Sequence, residues 1–231
     1  MNDPARQLPL NLPQRQAYGR EDFLVTQSNE AAVALIDDWP NWPTYGAMII
    51  GPAGSGKSHL VEVWRQKTGA QIFSASMLTI DLAATLFDNQ TLALEIKGPF
   101  DERAVFHLLN LARQEHGHIL ITSPASLQDW SVKIPDLLSR LQALPAVFIL
   151  PPDDALLRGV IVKHFNDRQI NVDEATISYI LLRMPRSLAA ARALVAQIDQ
   201  QALAEHAEIT RPFVSRIMTQ FTSPDFFDQE S

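Results

Sequence analysis

No cysteine occurs among the 231 residues. That excludes disulfides, thiolate zinc sites and thiol nucleophiles, and it fits a reducing compartment. Long apolar runs are missing too: no stretch approaches the roughly 20 residues that a membrane-spanning helix needs. Basic excess is also lacking, because 19 Lys and Arg stand against 26 Asp and Glu, a formal charge of -7. No overall positive field therefore draws the chain onto nucleic acid or anionic lipid, and any DNA contact must be local or borrowed from a partner. The opening segment Met1 to Arg20 is polar, carries Pro4, Pro9 and Pro13, and has neither the apolar run nor the cleavage site of a secretory leader, so a cytoplasmic protein is expected. What is present is a hydrophobic fraction of 46%, enough for a sizeable core.

Periodicity and breakers divide the chain into four parts. Residues 1–21 are rich in Pro and Gln, which disfavour helix, and their few leucines crowd into Gln7-Leu8-Pro9-Leu10-Asn11-Leu12. Residues 22–152 open with a predicted helix over Asn29 to Trp39, apolar at Ala32, Val33, Leu35 and Ile36, with Ser28 or Asn29 as N-cap and Pro40 as stop. Predicted strands follow at Ala47 to Gly51, Gln71 to Ser74, Leu92 to Ile96, His118 to Thr122 and Val147 to Leu150. Between them lie helical patterns near Lys57 to Lys67, Met77 to Leu86, Asp101 to Glu115 and Pro135 to Ala143. Apolar strands alternating with amphipathic helices predict an α/β unit whose parallel sheet is covered on both faces. After Pro151-Pro152 the strand signals stop. Asp153 to Asp167, Asp173 to Met184, Ser187 to Glu205 and Pro212 to Phe221 read as helices, with Asp153, Asp173 and Ser187 suited to N-caps and Pro212 to a first helical position, giving a small all-α domain over 153–221. Residues 222–231, an acidic tail containing Phe226-Phe227, are expected to fray.

Gly51 to Ser58 reads GPAGSGKS, directly after a predicted strand and directly before a predicted helix. In a G-x-x-x-x-G-K-S loop the glycines let backbone amides turn inward around phosphates, the lysine reaches the β and γ oxygens and the serine contacts magnesium. The candidate nucleotide-binding residues are therefore Gly51, Pro52, Ala53, Gly54, Ser55, Gly56, Lys57 and Ser58, with His59 beside them. Hydrolysis also needs an acidic residue at the end of a neighbouring strand. In LALEI, residues 92–96, Glu95 stands where that acid belongs and apolar Ile96 where a second would sit. Glu95 reads either as a degenerate magnesium ligand beside Ser58 or as a strand end facing solvent. Arg140, one turn beyond Asp136 near a helix end, reads as an exposed surface charge or as a group that completes a neighbour's nucleotide site. Arg186, at the start of a helix in the all-α part, reads as a solvated charge.

Taken together, Phe23-Leu24-Val25-x-x-Ser28-Asn29-x-x-Ala32, the phosphate loop, IPDLLSRL at residues 134–141 and the small helical domain resemble the AAA+ module of the DnaA family. Within it they are most similar to the short Hda-type homologues, which lack the initiator's DNA-binding domain. The resemblance covers roughly Phe23 to Met218 and implies a three-layer AAA+ P-loop domain followed by a helical lid, with ADP or ATP and Mg2+ as cofactors. It also implies that Arg140 is the family's trans arginine finger, that Arg186 is the sensor arginine reading the nucleotide from the lid, and that Ser123, in ILITSP, is the first sensor. Gln7, Leu8, Leu10 and Leu12 resemble the short peptide by which such proteins bind the DNA polymerase III β sliding clamp; an extended proline-containing segment loses little entropy on docking. The chain departs from the family at Glu95 and Ile96, where an acid followed by a polar or acidic residue is usual, so weak hydrolysis of its own nucleotide is expected.

The function so implied is negative regulation of replication initiation. Bound to the clamp, the chain presents Arg140 to ATP held by the initiator DnaA, promotes its hydrolysis and leaves the initiator inactive with ADP. DNA contact is then indirect, through the clamp, and self-association is left open. An autonomous AAA+ ATPase motor or loader in DNA replication, with Glu95 a competent ligand, is the alternative. A third reading, a DNA-binding initiator, is opposed by the acidic balance and by the expectation that the few residues after the lid helices leave no room for a helix-turn-helix domain.

Overall fold

The computed structural model describes residues 19–20, 23–86 and 90–221. One compact unit runs from Tyr18 to Asp153 and a second begins at Asp154.

The first unit is built on five parallel strands, β1 (Gly46–Ile50), β2 (Gln71–Ser74), β3 (Thr91–Glu95), β4 (His118–Ser123) and β5 (Ala146–Phe148), in the order β2-β3-β4-β1-β5. Helices α1 (Glu30–Asp37), α2 (Lys57–Thr68), α3 (Ile80–Leu86), α4 (Glu102–Gln114) and α5 (Pro135–Gln142) connect and cover them. Successive strand side chains point to opposite faces. Met48, Ile50, Leu92, Leu94, Ile119 and Ile121 accordingly pack with Leu108, Leu109, Leu137 and Leu141 of α4 and α5. Ala47, Ile49, Ala93 and Leu120 pack with Ala32, Ile36, Leu60, Val61 and Trp64 of α1 and α2. Burial on both faces explains the unbroken apolar runs Leu92 to Leu94 and Ile119 to Ile121 in the middle of the central strands.

The edge strands depart from that expectation. Ile72 of β2 is 41% exposed and Phe148 of β5 is 54% exposed, because each strand has a neighbour on one side only. β5 also ends at Phe148 rather than Leu150: the Leu150 N–H leaves the sheet and donates to the Ser28 carbonyl at 2.9 Å. Residues Ala75–Met77 form a single 3-10 turn, so α3 starts at Ile80, and Met77 stays exposed. Asn29 precedes α1 but its side chain caps nothing in the helix. Its Oδ1 accepts from the Thr26 N–H at 2.9 Å and its Nδ2 donates to the Leu24 carbonyl at 2.9 Å, stitching the preceding segment together.

At the amino end of β4 lies an aromatic cluster. Trp42 and Trp64 stack with ring centres 5.6 Å apart, and His118 meets Trp39 and Trp42 edge-on at 5.9 Å each. The Trp42 indole donates to the Leu35 carbonyl at 2.7 Å, whereas the Trp39 and Trp64 indole N–H groups are buried without a hydrogen-bond partner among the described residues. Burial lowers the His118 pKa, opposed by a hydrogen bond to the Pro40 carbonyl.

The second unit contains α6 (Asp154–Asn166), α7 (Glu174–Leu181), α8 (Leu188–Glu205) and α9 (Arg211–Phe221), around Leu157, Ile161, Phe165, Ile180, Leu194, Ile198, Val214 and Ile217. Asp173 caps α7 by accepting from the Thr176 N–H at 2.6 Å, and Ser187 caps α8 by accepting from the Ala190 N–H at 3.4 Å. Helix α6 begins at Asp154, directly after Asp153, and Pro212 is the second helical residue of α9, not the first. Among the described residues no helix is long and apolar enough to cross a membrane.

Candidate nucleotide site

The parallel register sets the carboxyl ends of three strands side by side: Ile50 of β1 faces Ser123 of β4, and Thr122 of β4 faces Glu95 of β3. The loop after β1 starts from this edge. Gly51 donates its N–H to the Ser123 carbonyl at 3.1 Å, and a Cβ there would lie 2.9 Å from the Ile149 carbonyl oxygen and 3.0 Å from Ser55 Oγ. Gly54 (φ 71°) and Gly56 (φ 101°) adopt left-handed backbone that glycine accepts without strain. Gly56 leads straight into α2, whose first N–H groups lack helical partners and favour an anion. Pro52, Ala53 and Gly54 are exposed.

Two side chains suit this loop to a phosphate. Ser55 is 2% exposed and its hydroxyl has no hydrogen-bond partner among the described residues; leaving such a group unsatisfied costs about 1–3 kcal/mol. Lys57 Nζ folds back onto the Gly51 carbonyl at 2.5 Å and the Pro52 carbonyl at 2.8 Å. Burial, and then the positive charge of Lys97, lower the Lys57 pKa, while Glu95 acts to raise it. An incoming phosphate satisfies the ammonium and the open amides together, so these residues fit the polyphosphate of a nucleotide.

Glu95 is not a strand end turned to solvent. Its side chain is 16% exposed, its Oε1 accepts from Ser58 Oγ at 3.3 Å, and its Oε2 pairs with Lys97 Nζ at 2.7 Å. Ile96 is 3% exposed and belongs to the core. One hydroxyl and one carboxylate suit magnesium, which keeps several waters and phosphate oxygens of its own. No group of three or more potential metal-binding side chains exists among the described residues.

The other predicted positions fare differently. Ser123 lies at the end of β4, 2% exposed, with its hydroxyl already filled: it donates to the Ala125 carbonyl at 2.8 Å and accepts from the Ala125 N–H and Trp130 Nε1 at 3.1 Å each. His59 packs edge-on against Phe23, ring centres 5.0 Å apart. Arg140, in the last turn of α5, is half-buried rather than exposed; its guanidinium sits over the Phe106 ring of α4 at 4.8 Å, with no carboxylate partner among the described residues. Arg186 is exposed and donates to Asp154 Oδ1 at 2.6 Å, inside the second unit. Gln7, Leu8, Leu10, Leu12 and Phe226-Phe227 lie outside the described residues. The sequence reading missed Lys97, Phe106 and Trp130, each of which gains its meaning from a contact.

A β2-β3-β4-β1-β5 parallel sheet, a phosphate loop after β1 and a following helical unit define the AAA+ class of P-loop proteins. Residues 154–218 match the family described as "Hda, lid domain", and no curated protein matches the chain by sequence. Domain III of the replication initiation protein DnaA of Thermotoga maritima is similar with a TM-score of 0.74 and 17% identity, over 92% of this chain and 100% of that one. The AMPPCP-bound DnaA of Aquifex aeolicus gives 0.65 and 18%, over 81% and 66% respectively. The RuvB Holliday junction branch migration motor of T. maritima gives 0.73 and 14%, over 90% and 74%. The chain thus has the fold of the DnaA AAA+ module, and its second unit is similar to the Hda lid domain.

Proposed function

We propose that the chain is a negative regulator of DNA replication initiation that holds ADP or ATP in the Gly51–Ser58 loop, docks on the β sliding clamp, and promotes hydrolysis of ATP bound to DnaA. The observation that carries this reading is Arg140. It ends α5 with its guanidinium laid on Phe106 and no carboxylate to neutralise it among the described residues. A guanidinium placed by a neighbour against ATP stabilises the charge that builds on the transferring phosphoryl oxygens, an effect of about 10³- to 10⁵-fold in rate.

In this reading the chain's own nucleotide is regulatory. Lys57 and the loop amides hold its phosphates, Ser58 and Glu95 are the two groups open to a magnesium ion, and Arg186 is the sensor arginine of the lid. Ser123 serves as first sensor only by giving up a local hydrogen bond. Gln7, Leu8, Leu10 and Leu12 engage the clamp, so that contact with DNA is indirect. The decisive assay is phosphate release from ATP-loaded DnaA with this protein and DNA-loaded clamp, together and singly. Stimulation is expected to need both, and to fall at least about 100-fold with Arg140→Ala; stimulation retained by that variant removes the mechanism.

The Ser58–Glu95 hydrogen bond favours one second reading, an autonomous AAA+ ATPase in which Glu95 is a working magnesium ligand. It requires strong partner-free turnover that Lys57→Ala abolishes.

A further inference from the structure

The charge beside the loop contains one cation more than the P-loop pattern calls for. Lys97 follows buried Ile96 just beyond β3, so burial of Ile96 turns the next side chain outward. Lys97 Nζ sits 2.7 Å from one oxygen of Glu95, whose other oxygen accepts from Ser58 Oγ at 3.3 Å. The Ser58 hydroxyl and the Glu95 carboxylate are the two groups a divalent cation would take, and an ammonium already neutralises that carboxylate. Ser58 directly follows Lys57, so the Lys97–Glu95–Ser58 chain of contacts brings the second ammonium to the loop that carries the first. Two ammonium groups and one carboxylate leave a net positive charge at the mouth of the loop. The Lys97 side chain is 66% exposed, so little holds it on Glu95 once a polyphosphate arrives.

We propose that Lys97 is an in-built counter-cation, through which the loop holds a nucleoside diphosphate without a divalent metal ion. The inference rests on the nucleotide reading given above and departs from it in one respect: Lys97, not a magnesium ion, supplies the positive charge beside Glu95. A metal entering between Ser58 and Glu95 must displace the Lys97 ammonium from the carboxylate and meets a site that is no longer anionic, whereas a diphosphate gains a second ammonium next to Lys57. The residue marks the site as one for retaining a nucleotide rather than turning it over, since the metal that would neutralise charge during phosphoryl transfer gains little there.

The test is equilibrium titration of the full chain with a fluorescent ADP, once in excess EDTA and once in millimolar Mg2+. Wild-type affinities in the two buffers are expected to agree within about threefold, and Lys97→Met to bind about tenfold more weakly in EDTA while recovering in Mg2+. Thermal melting of Lys97→Met without nucleotide checks that this exposed substitution leaves the fold intact. Wild-type binding that is tenfold or more weaker in EDTA, or an equal loss by Lys97→Met in both buffers, overturns the inference while leaving the nucleotide site in place. A wild-type protein that binds in neither buffer overturns the nucleotide reading as well.

Discussion

The two ends of helix α2 do opposite things. At its start, Gly56 turns left-handed, Lys57 leans on loop carbonyls and Ser58 reaches Glu95 at 3.3 Å, beside a Ser55 hydroxyl buried without a partner. At its far end Trp64 is fully buried, stacked on Trp42 and met edge-on by Trp39. Both ends bury polar groups without partners, but at the second these are indole N–H groups packed within an aromatic cluster. Roughly 10 Å of helix, at 1.5 Å per residue from Lys57 to Trp64, thus separates the candidate nucleotide site from the packing that holds the unit folded.

Three substitutions or conditions probe that division, in falling order of effect. Trp64→Ala removes the largest fully buried side chain of the unit, and by comparison with other large-to-small core changes it should cost about 3–5 kcal/mol, read as a lower urea midpoint. Lys57→Ala should leave the urea midpoint of the nucleotide-free protein near that of wild type while weakening ADP binding about 100-fold, or roughly 2.7 kcal/mol. If Lys57→Ala destabilised the free protein as much as Trp64→Ala, the two ends would not be separate in function. The smallest effect is one of pH. Burial depresses the pKa of His118 below its ordinary 6.5, so the unfolded chain binds the proton more readily. Its contribution is full above 6.5 and is lost as pH falls through the lower folded value. Burial likewise depresses His164 in the second unit. Urea midpoints should therefore drop on acidification from about pH 7.5 to about pH 5.5, and His118→Gln should remove only its share of the slope.

The core sheet could be read from the sequence because its signals are local. Leu92, Ala93 and Leu94, or Ile119, Leu120 and Ile121, are apolar without a break since both faces are covered, and glycine and lysine spacing marks the loop on its own. Edge exposure was not legible: the runs QIFS and AVF do not say which strand lies outermost. Lys97 reads as an ordinary surface lysine until β3 places it against Glu95. Phe106 and Arg140 lie on different helices, and no periodicity joins them. Ser123 was visible as a polar residue at a strand end, but the indole of Trp130 that occupies its oxygen was not.

Gly51 differs from the other glycines of its loop, because its backbone is not left-handed; crowding alone forbids a side chain. The obstacle is Ile149, immediately after an edge strand that supplies no proposed site residue. Mutational tolerance at position 51 is therefore set partly from outside the loop. Every substitution at position 51 adds a Cβ that must push the Ile149 carbonyl, the Ser55 hydroxyl or both, while the mostly exposed β5 has the appearance of a freely variable surface. In a library of variants, residues 149 and 51 should behave as one genetic unit: damage at position 51 would be relieved by changes that let the chain after β5 move outward, as well as by removal of the Ser55 hydroxyl.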